Sequence, residues 1–550
     1  MRATQRVHQN GHPDMQEPKS NPRNLLLAMV LSMAVLFGWQ AIFVAPKLEA
    51  ERQAQIAAQE QAASQAESTA AATGIAPTTS GTQGNTNAAT PGTAAVSPTK
   101  PFDRDAELAA GQRLEIKTPS LIGTISLTGG KIDDLLLVKY REEVDPDSAN
   151  VVLLHPNGTK DPYFAEFGFV GQGLVDLPGP KTVWTARAGS TLTPSSPVTL
   201  ATSGENGLIF SRTISIDENY LISIKDEVEN SGTDAVSLQA YGRISRSGDP
   251  KVEGIFILHE GLLGMFGEDG FQTADYGDMQ DEPKLTSTGL VENGWLGITD
   301  KYWGTALLPK AGTKFTPTFR YFSEGGNRYQ TDYLTEDQII AAGATAVFET
   351  NLFAGAKETN QIDAYDAALG VTSFDLMIDW GWFYFITKPL FKMMSWFYGL
   401  VGNFGVAILL STVVIKLALF WFANKSYASM AKMKTVQPKM MEIREKYADD
   451  KMAQQQAMMA LYKEEKINPA AGWWPVLIQI PVFFALYKVR YITIEMRHAP
   501  FFGWIKDLAV PDPTSIFNLF GLLPFEVGGF LLVGVWPLLM GITMFLHMRM

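Results

Sequence analysis

A chain of 550 residues is too long for one ordinary domain, and 46% hydrophobic residues at a mean hydropathy of +0.00 is what membrane spans joined to a large polar domain produce. The absence of cysteine excludes disulfides, CxxC redox motifs and cysteine zinc sites, so a domain outside the cytoplasm must stand on its core alone. The net charge of −12 is uneven, about −19 over residues 47–371 against about +2 before and about +5 after, which argues against nucleic acid as a partner of the acidic middle.

Residues 1–24 are polar and include Arg2, Arg6, Lys19 and Arg23, after which 25–44 runs without a charge. That run exceeds the roughly 7–15 residues of a signal-peptide core, and Ala45-Pro46 is a poor cleavage site, so the segment reads as an uncleaved transmembrane anchor. Its basic leader keeps the N-terminus in the cytoplasm and places the chain beyond residue 44 outside. Residues 45–101, mostly Ala, Gln, Ser, Thr, Gly and Pro, form a disordered linker that cannot bury enough apolar surface to fold.

Residues 102–371 change to short β-rich runs bounded by Gly, Pro, Asn and Asp, with alternation over 208–216 and 220–228, and predict an antiparallel all-β sandwich. No catalytic constellation stands out. His155 and His259 are far apart, His259-Glu260 lacks the second histidine of a zinc-protease motif, and no GxxxxGK phosphate loop occurs. The acidic cluster from Glu268 to Glu282 reads as a surface loop.

Residues 372–400 are dense in Trp, Phe and Tyr and broken by Lys388, Pro389 and Lys392, a pattern suited to the headgroup boundary. An amphipathic helix lying in the outer interface is expected, an ordinary spanning helix being the alternative. Residues 401–423 then form a transmembrane helix crossing inward, and the basic stretch 424–472 a cytoplasmic helical hairpin turning at Ala448-Asp449-Asp450. Seven of the 21 methionines lie in the hairpin; they either offer an adaptable surface to varied partners or zip its two helices together. Residues 473–489 return outward as a transmembrane helix with Pro475, Gln479 and Pro481, whose prolines free backbone groups that need partners inside the protein. Gln479 shares a helix face with Phe483. An outer loop, 490–527, and a last transmembrane helix, 528–547, complete the chain, with Arg549 at its cytoplasmic end.

The residue that demands an explanation is Lys416, a charge inside an apolar span, where insertion costs roughly 2.5–3.5 kcal/mol. It lies seven residues before Ala423, within reach of water by snorkelling. Side chains lean toward a helix's N-terminus, however, so on a helix running inward Lys416 leans away from the nearer water. Thr412 and Gly405 share its face and make a small, polar stripe. The alternative to snorkelling is therefore a hydrated cavity open to the cytoplasm, bordered by Gln479 and the flexible Met540 and Met544, which would suit a polar segment of polypeptide passing halfway into the bilayer.

Several stretches resemble the YidC family of membrane protein insertases, in its Gram-negative form with a large periplasmic domain: GWFYFITKPLFK, VGNFGVAILLSTVVIK, SYASMAKMKTVQPKM, DDKMAQQQAMMALYKEEKINPAAGWWPVLIQIPVFFALY and WPLLMGITMF. The resemblance implies a multi-domain membrane protein, an α-helical transmembrane bundle carrying an all-β periplasmic sandwich (a β-supersandwich, similar to sugar mutarotases) and the cytoplasmic hairpin. It implies an insertase and chaperone of the inner membrane, no enzyme, working alone or with the Sec translocon on nascent membrane proteins, with no cofactor and no nucleotide. The hairpin, with Tyr427, Met430, Lys432, Met433 and Lys434, is expected to meet the ribosome and targeting machinery, and the bundle to meet membrane lipids. Lys416 stands where the family has a groove arginine, and Thr412, Gln479, Pro481 and Phe483 match positions lining or shaping the groove. Lysine keeps the charge but loses the planar fork that grips carboxylates in bidentate fashion. The family continues past the position of Met550 with a cytoplasmic loop and two membrane helices, so the sequence is expected to be incomplete at its C-terminal side. Two rival classes are a membrane-anchored carbohydrate-active or sugar-binding protein, suggested by the β domain although no acid and base pair is recognisable, and a transporter, which would want inverted repeats or several intramembrane charges.

Overall fold

The computed structural model describes residues 103–549 apart from 172–176, 205–206, 254–256, 466–473, 511, 513 and 524–532. The expected N-terminal segment, anchor and linker, 1–101, and the start of the last crossing lie outside the described residues. All described residues belong to one folded unit, Ala88–Met550.

Among the described residues, two sheets of eleven and nine strands form a sandwich. The first is built round Val236–Ser247, paired antiparallel with Tyr163–Val170 and Arg328–Thr335. The second is built round Thr345–Ala356, paired antiparallel with Leu221–Asn230 and Trp303–Pro309. Alternation is what makes these strands: in Leu221–Asn230 the side chains of Ile222, Ile224, Val228 and Asn230 turn inward and are buried while their neighbours face out. Asp226 occupies one of those inward positions. Its cross-strand partner is Arg212, and the two form a bidentate pair at 2.7 and 2.9 Å. Glu166 is likewise buried and satisfied, by Arg243 at 3.1 Å and the Tyr241 hydroxyl at 3.1 Å, as burial of a charge requires.

Two short helices, α1 (Arg104–Ala109) and α2 (Tyr276–Asp281), decorate the sandwich. The second corrects the reading of Glu268–Glu282 as a plain surface loop. Asp275 and Asp278 close a capping box around α2, and Tyr276 and Met279 are buried, so the acids cap a helix and the residues between them enter the core.

After the last strand come α3 (Thr359–Leu369), α4 (Tyr384–Val401), α5 (Phe404–Lys446), α6 (Lys451–Glu464), α7 (Trp474–Ile492) and α8 (Val535–Arg549). Helix α5 is the one helix among the described residues long and apolar enough to cross a membrane, and it continues unbroken through the expected boundary at 423 into the hairpin. Gly402 takes the left-handed conformation (φ 66°) that ends α4, its N–H bonding to Tyr398 O at 2.7 Å, and Asn403 caps α5 by accepting from Val406 N at 3.1 Å. Tyr398 and Phe404 stack across this turn with ring centroids 3.9 Å apart.

Residues 374–380 are not part of an interfacial helix. They form a 3₁₀ turn and an extended segment whose Phe374, Met377 and Trp380 belong to the β-domain core, Phe374 meeting Trp295 edge to face at 5.2 Å. The aromatic density at 372–400 thus serves two purposes, core at its start and surface at its end. Lys388 and Lys392 also differ from the expectation of headgroup lysines. Lys388 bridges Asp363 (2.9 Å) and Asp375 (2.6 Å), and Lys392 reaches Asp363 (2.9 Å), so acids of the preceding elements anchor α4 on the β domain.

Candidate functional site

Helix α5 packs on α4, α6 and α7, and α4 also packs on α7. The packed face of α5 is Phe404, Ala407 and Ser411, all buried, with Ile408 and Ile415 half-buried, the spacing of one helical stripe. Leu409, Val413, Leu417 and Phe420 lie on another side and are each more than half exposed, an apolar surface of the kind a bilayer can cover. Gly405, Thr412 and Lys416 run between these two faces, one above the other.

Burial falls along that stripe. Gly405 is buried, Thr412 half-buried and Lys416 exposed. At the first position the ring of Phe501 lies on the helix backbone; a Cβ on Gly405 would sit 2.0 Å from Phe501 Cδ2. Gly405 is therefore spent on close packing and is no part of an open polar lining, contrary to its grouping with Lys416. Thr412 Oγ1 bonds back to Ile408 O at 2.8 Å, and Ser411 Oγ is buried without a partner among the described residues. Lys416 makes no hydrogen bond or ion pair among the described residues.

On α7, Ala485, Lys488, Val489 and Ile492 are buried. Gln479 and Pro481 are half-buried and Phe483 is 56% exposed; Gln479 and Phe483 lie on the opposite side from the buried set. Among the described residues no hydrogen bond joins Gln479 to Lys416. Met540 and Met544, on α8, are 60% and 57% exposed. In the hairpin, Tyr427, Lys432 and Lys434 are exposed and Met433 half-buried, while the side chain of Met430 lies outside the described residues.

The buried end of α7 meets the β domain through a polar seam that no periodicity announces. Lys488 pairs with Asp379 at 2.7 Å and also bonds to Ile257 O. Tyr491 donates to Glu253 at 3.0 Å, and Lys301 lies 3.8 Å above the Tyr491 ring. Glu495 Oε1 accepts from Thr359 N at 2.8 Å, at the start of α3, while its Oε2 is buried without a partner among the described residues; burial pushes this carboxyl up to about 7. Burial also draws the Lys357 amine down to about 8, although it donates to Thr299 Oγ1 at 2.8 Å and Asp300 O at 2.6 Å. Lys488 in an apolar run and the lone Glu495 after it are the visible signals, but their side-chain and backbone partners Asp379 and Thr359 stand more than a hundred residues away.

Residues 113–393 match the family model of the YidC periplasmic domain, and residues 396–550 that of the 60Kd inner membrane protein. A curated membrane protein insertase YidC of Mesorhizobium japonicum is 52% identical over 96% of this chain and 87% of its own length, and that of Rhizobium meliloti 50% identical over the same shares. The chain belongs to the YidC family of membrane protein insertases. As a YidC-family chain it is an inner-membrane protein with an all-β periplasmic domain followed by a helical region, and the first family match ends inside α4, which agrees with the docking of that helix on the sandwich. A galactose mutarotase related enzyme of Lactobacillus acidophilus overlaps 44% of the chain and 97% of its own at 9% identity and a TM-score of 0.31, too slight a likeness to bear on fold or chemistry.

Proposed function

We propose that this insertase receives polar segments of nascent membrane proteins in a hydrophilic groove that opens toward the cytoplasm, with Lys416 as its positive charge. The observation that carries the reading is the graded stripe on α5, closed at Gly405, partly open at Thr412 and open at Lys416. A cation left without an acidic partner in an apolar helix is costly, and a substrate carboxylate or polar backbone entering the groove offsets that cost. Gln479 and Phe483 of α7, with Pro481 shaping the helix, and Met540 and Met544 of α8 line the remaining sides. The same reading gives a multi-pass topology, with the N-terminus and the hairpin α5–α6 in the cytoplasm and α4 lying in the outer leaflet through Phe385, Trp396 and Leu400, all more than 60% exposed. The exposed Tyr427, Lys432 and Lys434 suit contact with the ribosome and targeting machinery, and cooperation with the Sec translocon fits the same topology.

The test is photocrosslinking from positions 412 and 416 to a stalled nascent membrane protein, combined with insertion assays. Crosslinks at both sites are expected. Lys416→Ala should slow insertion of substrates with an acidic translocated segment by roughly tenfold, the effect of ~1.4 kcal/mol, and Lys416→Arg should not. Normal insertion of every substrate by Lys416→Ala would overturn the electrostatic role.

A further inference from the structure

We infer that Phe501 is a plug: seated on Gly405, it closes the groove at its periplasmic end and so sets how far a polar segment can enter. The inference rests on the groove proposed above and adds its outer barrier. A Cβ at residue 405 would meet three ring atoms of Phe501, at 2.0, 2.7 and 2.7 Å, so the ring lies directly on the helix backbone and only glycine admits it. Residue 405 is at the second position of α5, and Lys416 is about three turns further along the stripe that Gly405 shares with Thr412.

The loop that carries Phe501 is held rigidly. Phe501 N bonds to Ile505 O at 3.0 Å and Leu508 N to Ala499 O at 3.0 Å, closing a compact turn. Asp507, itself buried, accepts from His498 N at 3.1 Å and from Ala509 N at 2.7 Å, which holds His498 in the left-handed region at φ 57°. Two arginines tie this turn to its surroundings. Arg490 of α7 donates to Leu508 O at 2.8 Å, and Arg497 donates to Glu142 O at 3.0 Å while its guanidinium lies 5.3 Å from the Trp303 ring. The plug is thus fixed both to a groove helix and to the β domain. Its neighbours Phe502 and Trp504, 62% and 43% exposed, have the ring chemistry of a membrane boundary. An aromatic ring on a glycine leaves no room for a file of water, whereas beyond it Thr412 and Lys416 are progressively open.

The chain has no cysteine, which allows a clean test in the whole protein. In the double variant Gly405→Cys, Phe501→Cys the new Cβ at 405 lies 2.7 Å from where Phe501 Cγ stood, one bond from the Cβ of residue 501, which brings the two cysteines against each other. Copper phenanthroline should oxidise this pair rapidly and completely, and Gly405→Cys with Phe502→Cys much more slowly. The reconstituted pair should then show low passive proton uptake into vesicles when oxidised and several-fold higher uptake after reduction. Phe501→Ala should leak likewise and Phe501→Leu less. Failure of the pair to oxidise, or equal proton uptake in both redox states, overturns the plug. Loss of nascent-chain crosslinks at Thr412 and Lys416 would instead remove the groove, whichever result the cysteine pair gives.

Discussion

Glu495 shows how much one carboxyl group can be asked to carry. One oxygen accepts the first backbone N–H of α3 and the other is sealed from water with no partner among the described residues, so burial raises its titration from the ordinary 4.5 to about 7. An acid whose folded pKa is raised binds its proton more tightly when folded. Stability from this group is therefore full below about pH 4.5, falls as the pH rises through the window up to about 7, and is lost above it; the span corresponds to roughly 3 kcal/mol at most. Glu358 adds to the effect, since it stands near Glu495 and accepts from the Tyr140 and Tyr220 hydroxyls at 3.0 and 2.7 Å. Thermal unfolding measured at pH 5 and pH 8 should show the wild-type protein losing stability at the higher pH. Glu495→Gln, which still accepts from Thr359 N, should flatten that dependence, and an unchanged slope in this variant would mean that other groups set it.

The hairpin illustrates what an element can and cannot announce. Its turn residues, Asp449-Asp450, were legible because Asp450 is a helix-capping type at a break between two periodic runs, and it does cap α6, accepting from Met452 N and Ala453 N at 3.0 Å. Which side chains close the hairpin was not legible, because methionine suits a core and a surface equally. Val436 and Leu461 are the buried pair, at 4% and 6% exposure, whereas Met441, Met452 and Met459 face outward at 57%, 70% and 53%. Met441, Met452 and Met459 are thus not a zip, while Met433, Met440 and Met458 are half-buried; Met452, Gln455 and Met459 share one open surface. Replacing Met441, Met452 and Met459 together by Ser should leave helicity by circular dichroism unchanged and weaken capture of ribosome-bound nascent chains several-fold. Val436→Ser should instead loosen the hairpin, read as faster proteolysis between residues 440 and 460. The reverse pattern would return the methionines to a structural role.

Across the whole molecule, the β strands and α5 could be read from period alone, since alternation and a long apolar run are local properties. The seam between the sandwich and the helices could not, because its charges are explained by residues of other elements: Lys388 by Asp363 and Asp375, Lys488 by Asp379, Arg497 by Trp303. The strongest test of that seam is Lys488, whose side chain is 10% exposed against 29% for Asp379. Removing one partner of a fully buried pair costs about 3–5 kcal/mol, and the water-facing side of Asp379 reduces this to about 2 kcal/mol here. Asp379→Ala should therefore lower the melting temperature of the detergent-solubilised protein by several degrees, because it leaves a lysine ammonium in a dry setting with, among the described residues, only Ile257 O to accept from it, besides removing the acceptor of His259 N and Gly381 N. Lys488→Met in the same background removes the unpaired charge and keeps the volume, so the double variant should regain the part of the loss that the buried charge causes. If the pair holds α7 for insertion as well as for stability, the double variant will melt above Asp379→Ala yet insert no faster than it. Recovery of both would show that packing at Ala485, Val489 and Ile492 suffices to seat α7, and that the ion pair serves the fold alone.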